Sequence, residues 1–265
     1  MTFRLASVAA LILAVTTMAF GQGRRFGGGF NQLRAPMPTA ANIKYDGRFT
    51  FVRLSYQTLP GGYWYRGQPA WSHGYPTSER TLMQIVDAVT ALAPHVDETN
   101  VLSLEDPEIF KYPVLYIIEV SWWQMTEAEA KNLRAYLDKG GFVIVDDFKT
   151  EEWRGGRGWA QFADNMHEVM PDAQFLDLAA SHPIFHQFFD INSLEIFPQA
   201  YNAGRPIFRG LYEDNDTSKP LRMFVNYNTD ISQFWEWSPR GLRPIAQSNE
   251  AFKLGVNAIV YGMTH

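Results

Sequence analysis

Acidic residues stand at the ends of two apolar runs in the middle of the chain. Glu119 interrupts the run at residues 114–120, and the pair Asp146 and Asp147 follows the run at residues 142–145. Such runs are typical of strands buried in a parallel sheet, whose carboxyl ends share one edge. Carboxylates at that edge could act as general acids and bases, or together with a histidine could hold a divalent cation.

Other residues could join this group. Asp230 follows a predicted strand at residues 221–227, and His73 and His182 are the histidines that we expect to approach the acids. The candidate catalytic residues are therefore Glu119, Asp146, Asp147, His182 and Asp230.

Each candidate also has a structural explanation. An aspartate at a strand end often accepts N–H bonds from the next turn, and capping is the favoured explanation of the pair Asp146 and Asp147. A hydrogen-bonded residue before Pro183 is the favoured explanation of His182. Glu119 is harder to explain in this way, because a carboxylate within an apolar run needs a partner or a raised pKa.

Several other chemistries are excluded or lack support. The chain has no cysteine, which excludes disulfides, thiolate metal sites and a cysteine nucleophile. It has no GxSxG, GxxxxGK[ST] or GxGxxG motif, and no HxH, HExxH or DxDxDG spacing. We therefore predict neither a metal site nor a cofactor from motifs alone.

The two apolar runs flank a predicted helix and form a βαβ unit with it. Thr126 and Glu129 have the spacing of a capping box at the start of that helix. Gly140 and Gly141 follow its apolar face and supply the residues that end helices in a left-handed conformation. A right-handed crossover is expected for this unit.

The whole chain alternates predicted strands and helices. We expect strands at residues 49–56, 101–104, 174–178 and 221–227, and helices that begin at 77, at 159 and at 250. Residues 193–200 and 205–212 are expected to be irregular strand or loop, and 228–239 a loop. This pattern predicts an α/β fold with a doubly wound, mostly parallel sheet of about five or six strands flanked by helices.

All eight tryptophans fall in the loops that follow the predicted strands. Tryptophan concentrates where proteins bind partners or flat ligands, but long loops also need small aromatic cores of their own. Both interpretations stay open. If the tryptophans bind a partner or ligand, the ligand-binding residues are Trp64, Trp71, Tyr75, Trp122, Trp153 and Trp235.

The amino-terminal residues resemble a secretory signal. Residues 1–21 contain one charge, Arg4, an apolar stretch, and a small residue on either side of Phe20. An uncleaved membrane anchor is the alternative. We predict a signal peptide at 1–21, a flexible leader at 22–44 rich in glycine, arginine and proline, and a single domain at 45–265, in a periplasmic or extracellular protein. The net charge of −5 gives no support for binding nucleic acid.

Several segments together resemble the bacterial domain-of-unknown-function 4159 family, over roughly residues 49–264. They are Trp71 with Gly74-Tyr75-Pro76, Tyr112-Pro113, Gly140-Gly141-Phe142 with Asp146-Asp147, His182-Pro183-Ile184-Phe185, Asn228 with Asp230, and Leu254-Gly255-Val256-Asn257 with Tyr261. The resemblance implies a flavodoxin-like fold similar to the class I glutamine amidotransferases, in an exported or membrane-associated protein. The amidotransferase reaction needs a cysteine, so its absence excludes that activity. Family members usually carry an acid where this chain has Gly74, so a site that depends on that acid is altered here.

Three functions remain as hypotheses. The first is a non-catalytic exported module that binds a small ligand or an envelope protein partner at the carboxyl edge of its sheet. The second is a hydrolase, metal-dependent or not, that uses the strand-end carboxylates and His182. The third is a structural subunit of a cell-envelope complex.

Overall fold

The described part of the chain contains nine strands and five α-helices, joined by loops and short 3-10 helices. The computed structural model describes residues 39–148, 157–197, 200 and 204–265. The strands are β1 Val52–Ser55, β2 Gln57–Thr58, β3 Asn100–Ser103, β4 Val114–Ile118, β5 Trp123–Gln124, β6 Phe142–Asp146, β7 Phe175–Asp177, β8 Ile207–Tyr212 and β9 Leu221–Tyr227. The helices are α1 Thr77–Val89, α2 Glu127–Asp138, α3 Gly158–Val169, α4 Ile231–Trp237 and α5 Ile245–Thr264.

The main sheet of the described residues has seven strands in the order β3-β1-β4-β6-β9-β8-β7. Its first five strands run parallel, and β8 and β7 are antiparallel to their neighbours. Counted along the chain, the five parallel strands have the order 2-1-3-4-5, one of the two orders common in doubly wound sheets. The prediction of a doubly wound, mostly parallel sheet flanked by helices is therefore confirmed.

The central βαβ unit forms as its sequence predicts. Every residue of β4 and β6 is buried, as the two apolar runs require. The Thr126 side chain accepts a hydrogen bond from the Glu129 N–H, and the Glu129 carboxylate accepts one from the Thr126 N–H. Gly140 has φ +93°, and a Cβ on Gly141 would lie 2.3 Å from the Tyr136 ring. Both glycines are thus required where α2 turns into β6.

Helices cover both faces of the sheet. One apolar cluster joins buried residues of α1, α4 and α5, among them Leu82, Phe234 and Leu254. The other joins buried residues of α2 and α3, such as Leu133 and Phe162, to the opposite face. Among the described residues no helix is long and apolar enough to cross a bilayer.

The structure corrects three expectations about elements. The described sheet has seven strands, because residues 207–212 form a regular strand where irregular strand or loop was expected. Residues 228–239 contain helix α4, whose first turn is capped by the Asp230 side chain. The last helix begins at Ile245, ahead of residue 250. In the first two cases long-range packing orders a segment whose local pattern is weak.

The predicted signal peptide, most of the leader and Trp153 lie outside the described residues. The last leader residues are hydrogen-bonded to the domain. The Asn42 side chain donates to the Val101 carbonyl and accepts from the Val101 N–H, and Ile43 pairs with the Asn100 side chain in the same way. These contacts cover part of the exposed edge of β3.

Candidate functional site

Three neighbouring parallel strands end in the same backbone conformation. Glu119, Asp147 and Asn228, the first residues after β4, β6 and β9, have φ of 53°, 54° and 58°. A positive φ is uncommon in a residue other than glycine and costs roughly 1–2 kcal/mol. Strained residues of this kind often occur at functional sites. The carboxyl edge of the sheet is therefore the first place to look for chemistry.

Three side chains from separate loops meet at this edge. His73 lies in the loop between β2 and α1, Glu119 follows β4 and Asp147 follows β6. His73 Nδ1 lies 3.1 Å from Asp147 Oδ2 and 3.3 Å from Glu119 Oε1. Potential ligand atoms of the three residues all lie within 4.8 Å of one another.

The meeting point coincides with the place where the strand order reverses. β1 connects outward to β3 on one side, while β4 follows on its other side and leads to β6. Ligands of open α/β sheets bind outside the carboxyl ends of the strands at this switch point. His73 and Glu119 come from the two loops that flank it.

The site combines two buried carboxylates with a more exposed imidazole. The side chains of Glu119 and Asp147 are fully buried, and that of His73 is 36% exposed. Burial by itself lowers the pKa of His73, but the hydrogen bonds to Asp147 and Glu119 and the charges of Asp147 and Asp230 outweigh it and raise the pKa to about 11. The two carboxylates thus favour the protonated form of His73, with its Nδ1–H directed to Asp147, and a cation that binds Nδ1 would have to displace that proton.

Tyr56 lies next to the two carboxylates. Its hydroxyl is 2.9 Å from the Ile118 carbonyl oxygen and 2.8 Å from that of Glu119, so it donates to the backbone at the strained turn. Burial, and then the charges of Glu119 and Asp147, raise the pKa of Tyr56 well above its usual value. The sequence gives no sign of Tyr56 as a site residue, because it falls at the end of the predicted strand 49–56, whose pattern is that of ordinary core.

Asp146 lies beside the cluster but has a structural role. Its carboxylate accepts hydrogen bonds from the Tyr116 hydroxyl, the Asn226 side chain, and the Ile231 and Ser232 N–H groups. Burial is the main reason that the pKa of Asp146 rises to about 7, and the charges of Asp230 and Asp147 add to it. Asp146 thus joins β6 to the start of α4, whereas the capping explanation expected N–H donors from the turn that follows the strand.

Asp230 also serves as a cap. Its Oδ1 accepts hydrogen bonds from the Gln233 N–H and the Ser232 hydroxyl at the start of α4. It is close enough to His73 for its charge to raise the pKa of that residue. Asp230 therefore contributes to the field of the site while its Oδ1 supports the helix.

The structure does not bring His182 to the acids. Its Nδ1 accepts the Ile184 N–H, and its ring packs 6.2 Å from that of Tyr261. The Tyr261 hydroxyl accepts the N–H of Leu221, the first residue of β9, so His182 lies by the amino edge of the sheet. The expectation that His182 joins the carboxylates is wrong, because the turn before Pro183 holds it at the opposite edge.

Most of the predicted aromatic surface is internal. Trp71, Trp122 and Trp235 are 9%, 3% and 2% exposed, and all three belong to the apolar clusters. An exposed binding surface made by these three rings is contradicted by that burial, because the long loops use them as core. Trp64 and Tyr75 are half-buried, and the Trp64 ring lies 6.5 Å from that of His73. Trp64 therefore lies beside the cluster.

The cluster has the composition of a cation site as well as of an acid–base pair. One imidazole nitrogen and two carboxylate oxygens are ligands used by Zn²⁺ and Mn²⁺, and catalytic zinc sites keep three protein ligands and an open position. Motif searching could not find this set, because its members lie in three loops far apart in sequence. The sequence signal for the cluster was that each of these loops follows a predicted strand of a parallel sheet.

Sequence comparison places the chain in a family. A family model with the description "domain of unknown function (DUF4159)" matches residues 50–263. A search of curated proteins finds no significant match. The matched range includes His73, Glu119 and Asp147 together with all seven strands of the main sheet. The chain belongs to the domain-of-unknown-function 4159 family.

Proposed function

We propose that this protein binds a divalent cation through His73 Nδ1 and the carboxylates of Glu119 and Asp147, and that the cation recruits an oxygen-rich ligand to the carboxyl edge of the sheet. One observation carries the proposal: donor atoms from three separate loops lie within 4.8 Å of one another at the switch point. This function keeps the predicted location of ligand binding and replaces the tryptophan surface with a charged centre.

The donor set favours some cations over others. Ca²⁺ and Mg²⁺ prefer oxygen ligands alone, whereas an imidazole nitrogen suits Zn²⁺, and Mn²⁺ takes the carboxylate ligands that complete the set. The two fully buried carboxylates provide the negative charge that such an ion needs. Zn²⁺ and Mn²⁺ are therefore expected to bind more tightly than Mg²⁺.

Isothermal titration calorimetry of chelator-treated protein tests the site. We expect one Zn²⁺ or Mn²⁺ per chain, with at least about a tenfold loss of affinity in His73→Ala and in Glu119→Gln. His186→Ala is a matched control, because His186 pairs with Asp190 at the same 3.1 Å distance on the surface. Absence of binding, or equal binding by His73→Ala, would refute the proposal.

Hydrolysis at the same centre is a second candidate. Three protein ligands leave coordination positions for a water, which a bound cation would activate. The partly exposed side of His73 gives a substrate access to it. Zn²⁺-dependent cleavage of chromogenic esters or phosphoesters that is lost in His73→Ala would favour the hydrolase, and its absence would favour the non-catalytic module.

We also infer an exported protein with a flavodoxin-like fold related to that of the class I glutamine amidotransferases. The 2-1-3-4-5 order of the parallel strands supports the fold, and the composition of residues 1–21 supports export. Mass spectrometry of the protein from the envelope or culture medium should find Gln22 as the first residue. An intact amino terminus would instead favour an anchor.

A further inference from the structure

A buried ion pair holds the backbone at His73. Arg53 in β1 and Glu79 in the first turn of α1 are fully buried, and Arg53 Nε donates to Glu79 Oε1. Arg53 Nη1 donates to the carbonyl oxygens of Trp71 and His73, each at 2.9 Å. Its Nη2 donates to Ser78 Oγ at 3.2 Å. One guanidinium thus ties the strand to two points of the loop that carries His73.

Stability alone does not explain this pair. Removing two charges from water costs several kcal/mol per ion, and apolar residues of similar volume often replace a buried ion pair without loss of stability. A guanidinium does what an apolar residue cannot, because its rigid fork fixes several acceptors at once. Here two of the acceptors are carbonyls within the segment 71–73.

We propose that Arg53, held by Glu79, is a positioning residue that aims the imidazole of His73 at Glu119 and Asp147. The cation-binding consequence rests on the function proposed above. Removing a residue that hydrogen-bonds to a metal ligand and orients it typically lowers metal affinity by about 10–100-fold. Arg53 contacts the His73 backbone and acts on the site through it, while Glu79 holds the guanidinium.

The double variant Arg53→Met/Glu79→Leu tests this role, because it leaves neither charge buried alone. We expect a folded protein whose Kd for Zn²⁺ is raised at least about tenfold. Arg209→Gln/Asp177→Asn is the matched control, since it removes an ion pair at the other end of the sheet and should leave the Kd unchanged. Wild-type affinity in the folded Arg53→Met/Glu79→Leu variant would overturn the proposal.

A second variant and a second measurement keep the test decisive. If the double variant does not fold, Glu79→Gln takes its place, because it preserves the shape of the side chain but weakens its hold on Arg53. We expect it to weaken Zn²⁺ binding, and unchanged binding would overturn the proposal. The hydrogen-bonded Nδ1–H of His73 should give a downfield proton NMR signal in the metal-free protein, absent from His73→Ala and lost or broadened in both ion-pair variants. If the wild type binds no cation, the proposed function fails, while persistence of this signal in the variants would separately overturn the positioning role.

Discussion

His73 and His182 show that the surroundings of a histidine in the fold decide which protonation state it favours. Hydrogen bonds to two carboxylates raise the pKa of His73 to about 11 in spite of its burial. Burial, and then the nearby His265, lower the pKa of His182 to about 4. Tyr212 and Tyr261 also face the His182 ring and offer it no negative charge at neutral pH. The surroundings of His73 thus favour its charged form, and those of His182 favour the neutral form.

The His182 environment predicts an acid-sensitive contribution to stability. An unfolded histidine binds a proton near pH 6.5, whereas folded His182 resists it until about pH 4. Its contribution is therefore complete above pH 6.5 and lost as the pH falls toward 4. Because the side chain is half-buried, we expect a loss of only about 1–2 kcal/mol.

Denaturant unfolding of wild type and His182→Asn at pH 7 and pH 4 measures this loss. Asparagine can still accept the Ile184 N–H but does not titrate, so the variant should lose less stability on acidification. His167→Asn, at an exposed helical position, is the control and should follow the wild type. Equal pH dependence in His182→Asn and wild type would contradict the prediction.

At the scale of elements, local sequence signals placed the central βαβ unit correctly. The start of α2 is set by Thr126 and Glu129, which satisfy N–H groups that the helix itself cannot. The glycines after α2 admit the left-handed turn and the close approach of Tyr136. These are contacts between near neighbours in sequence, so the chain encodes them directly.

Thr126→Ala should therefore destabilise the protein by about 1 kcal/mol, since it removes the acceptor of the Glu129 N–H. Urea unfolding measures the change. Thr81→Ala is the control, because that hydroxyl bonds to the Thr77 carbonyl within α1 and caps no helix end. A loss in Thr81→Ala as large as in Thr126→Ala would show that the cap is not the cause.

At the scale of the whole molecule, the cluster joins segments that are distant along the chain. His73 belongs to the loop between β2 and α1, while Asp147 follows β6, the strand at the centre of the main sheet. A ligand that holds both must stabilise the folded state, because the unfolded chain does not bring them together. Cation binding and global stability are therefore linked.

Zn²⁺ at about 100 times its Kd should add about 2.7 kcal/mol of stability. For a domain of this size, that corresponds to a rise in Tm of roughly 5–10 °C. Differential scanning calorimetry with and without chelator measures the shift. The rise should disappear in His73→Ala and persist in His186→Ala, and an equal rise in both would place the cation elsewhere.

Of the residues expected at this edge, the structure brings His73, Glu119 and Asp147 together and places His182 at the opposite edge. Strand ends can be read from apolar runs, and parallel strands bring their ends to one edge. Which loop then folds over that edge depends on packing between distant segments. The buried tryptophans illustrate the same limit, since their loop positions were visible but the direction of each ring was not.

The sequence by itself determined the α/β class, the central βαβ unit and the edge where the acids gather, because periodicity, capping and glycine positions act over a few residues. The tertiary structure decided that His73 and not His182 completes the cluster, that Arg53 holds its backbone, and that Asp146 serves as a cap. These outcomes depend on strand order and on contacts between loops, which no local pattern specifies. The chemistry of the site thus arises where segments far apart in the chain meet.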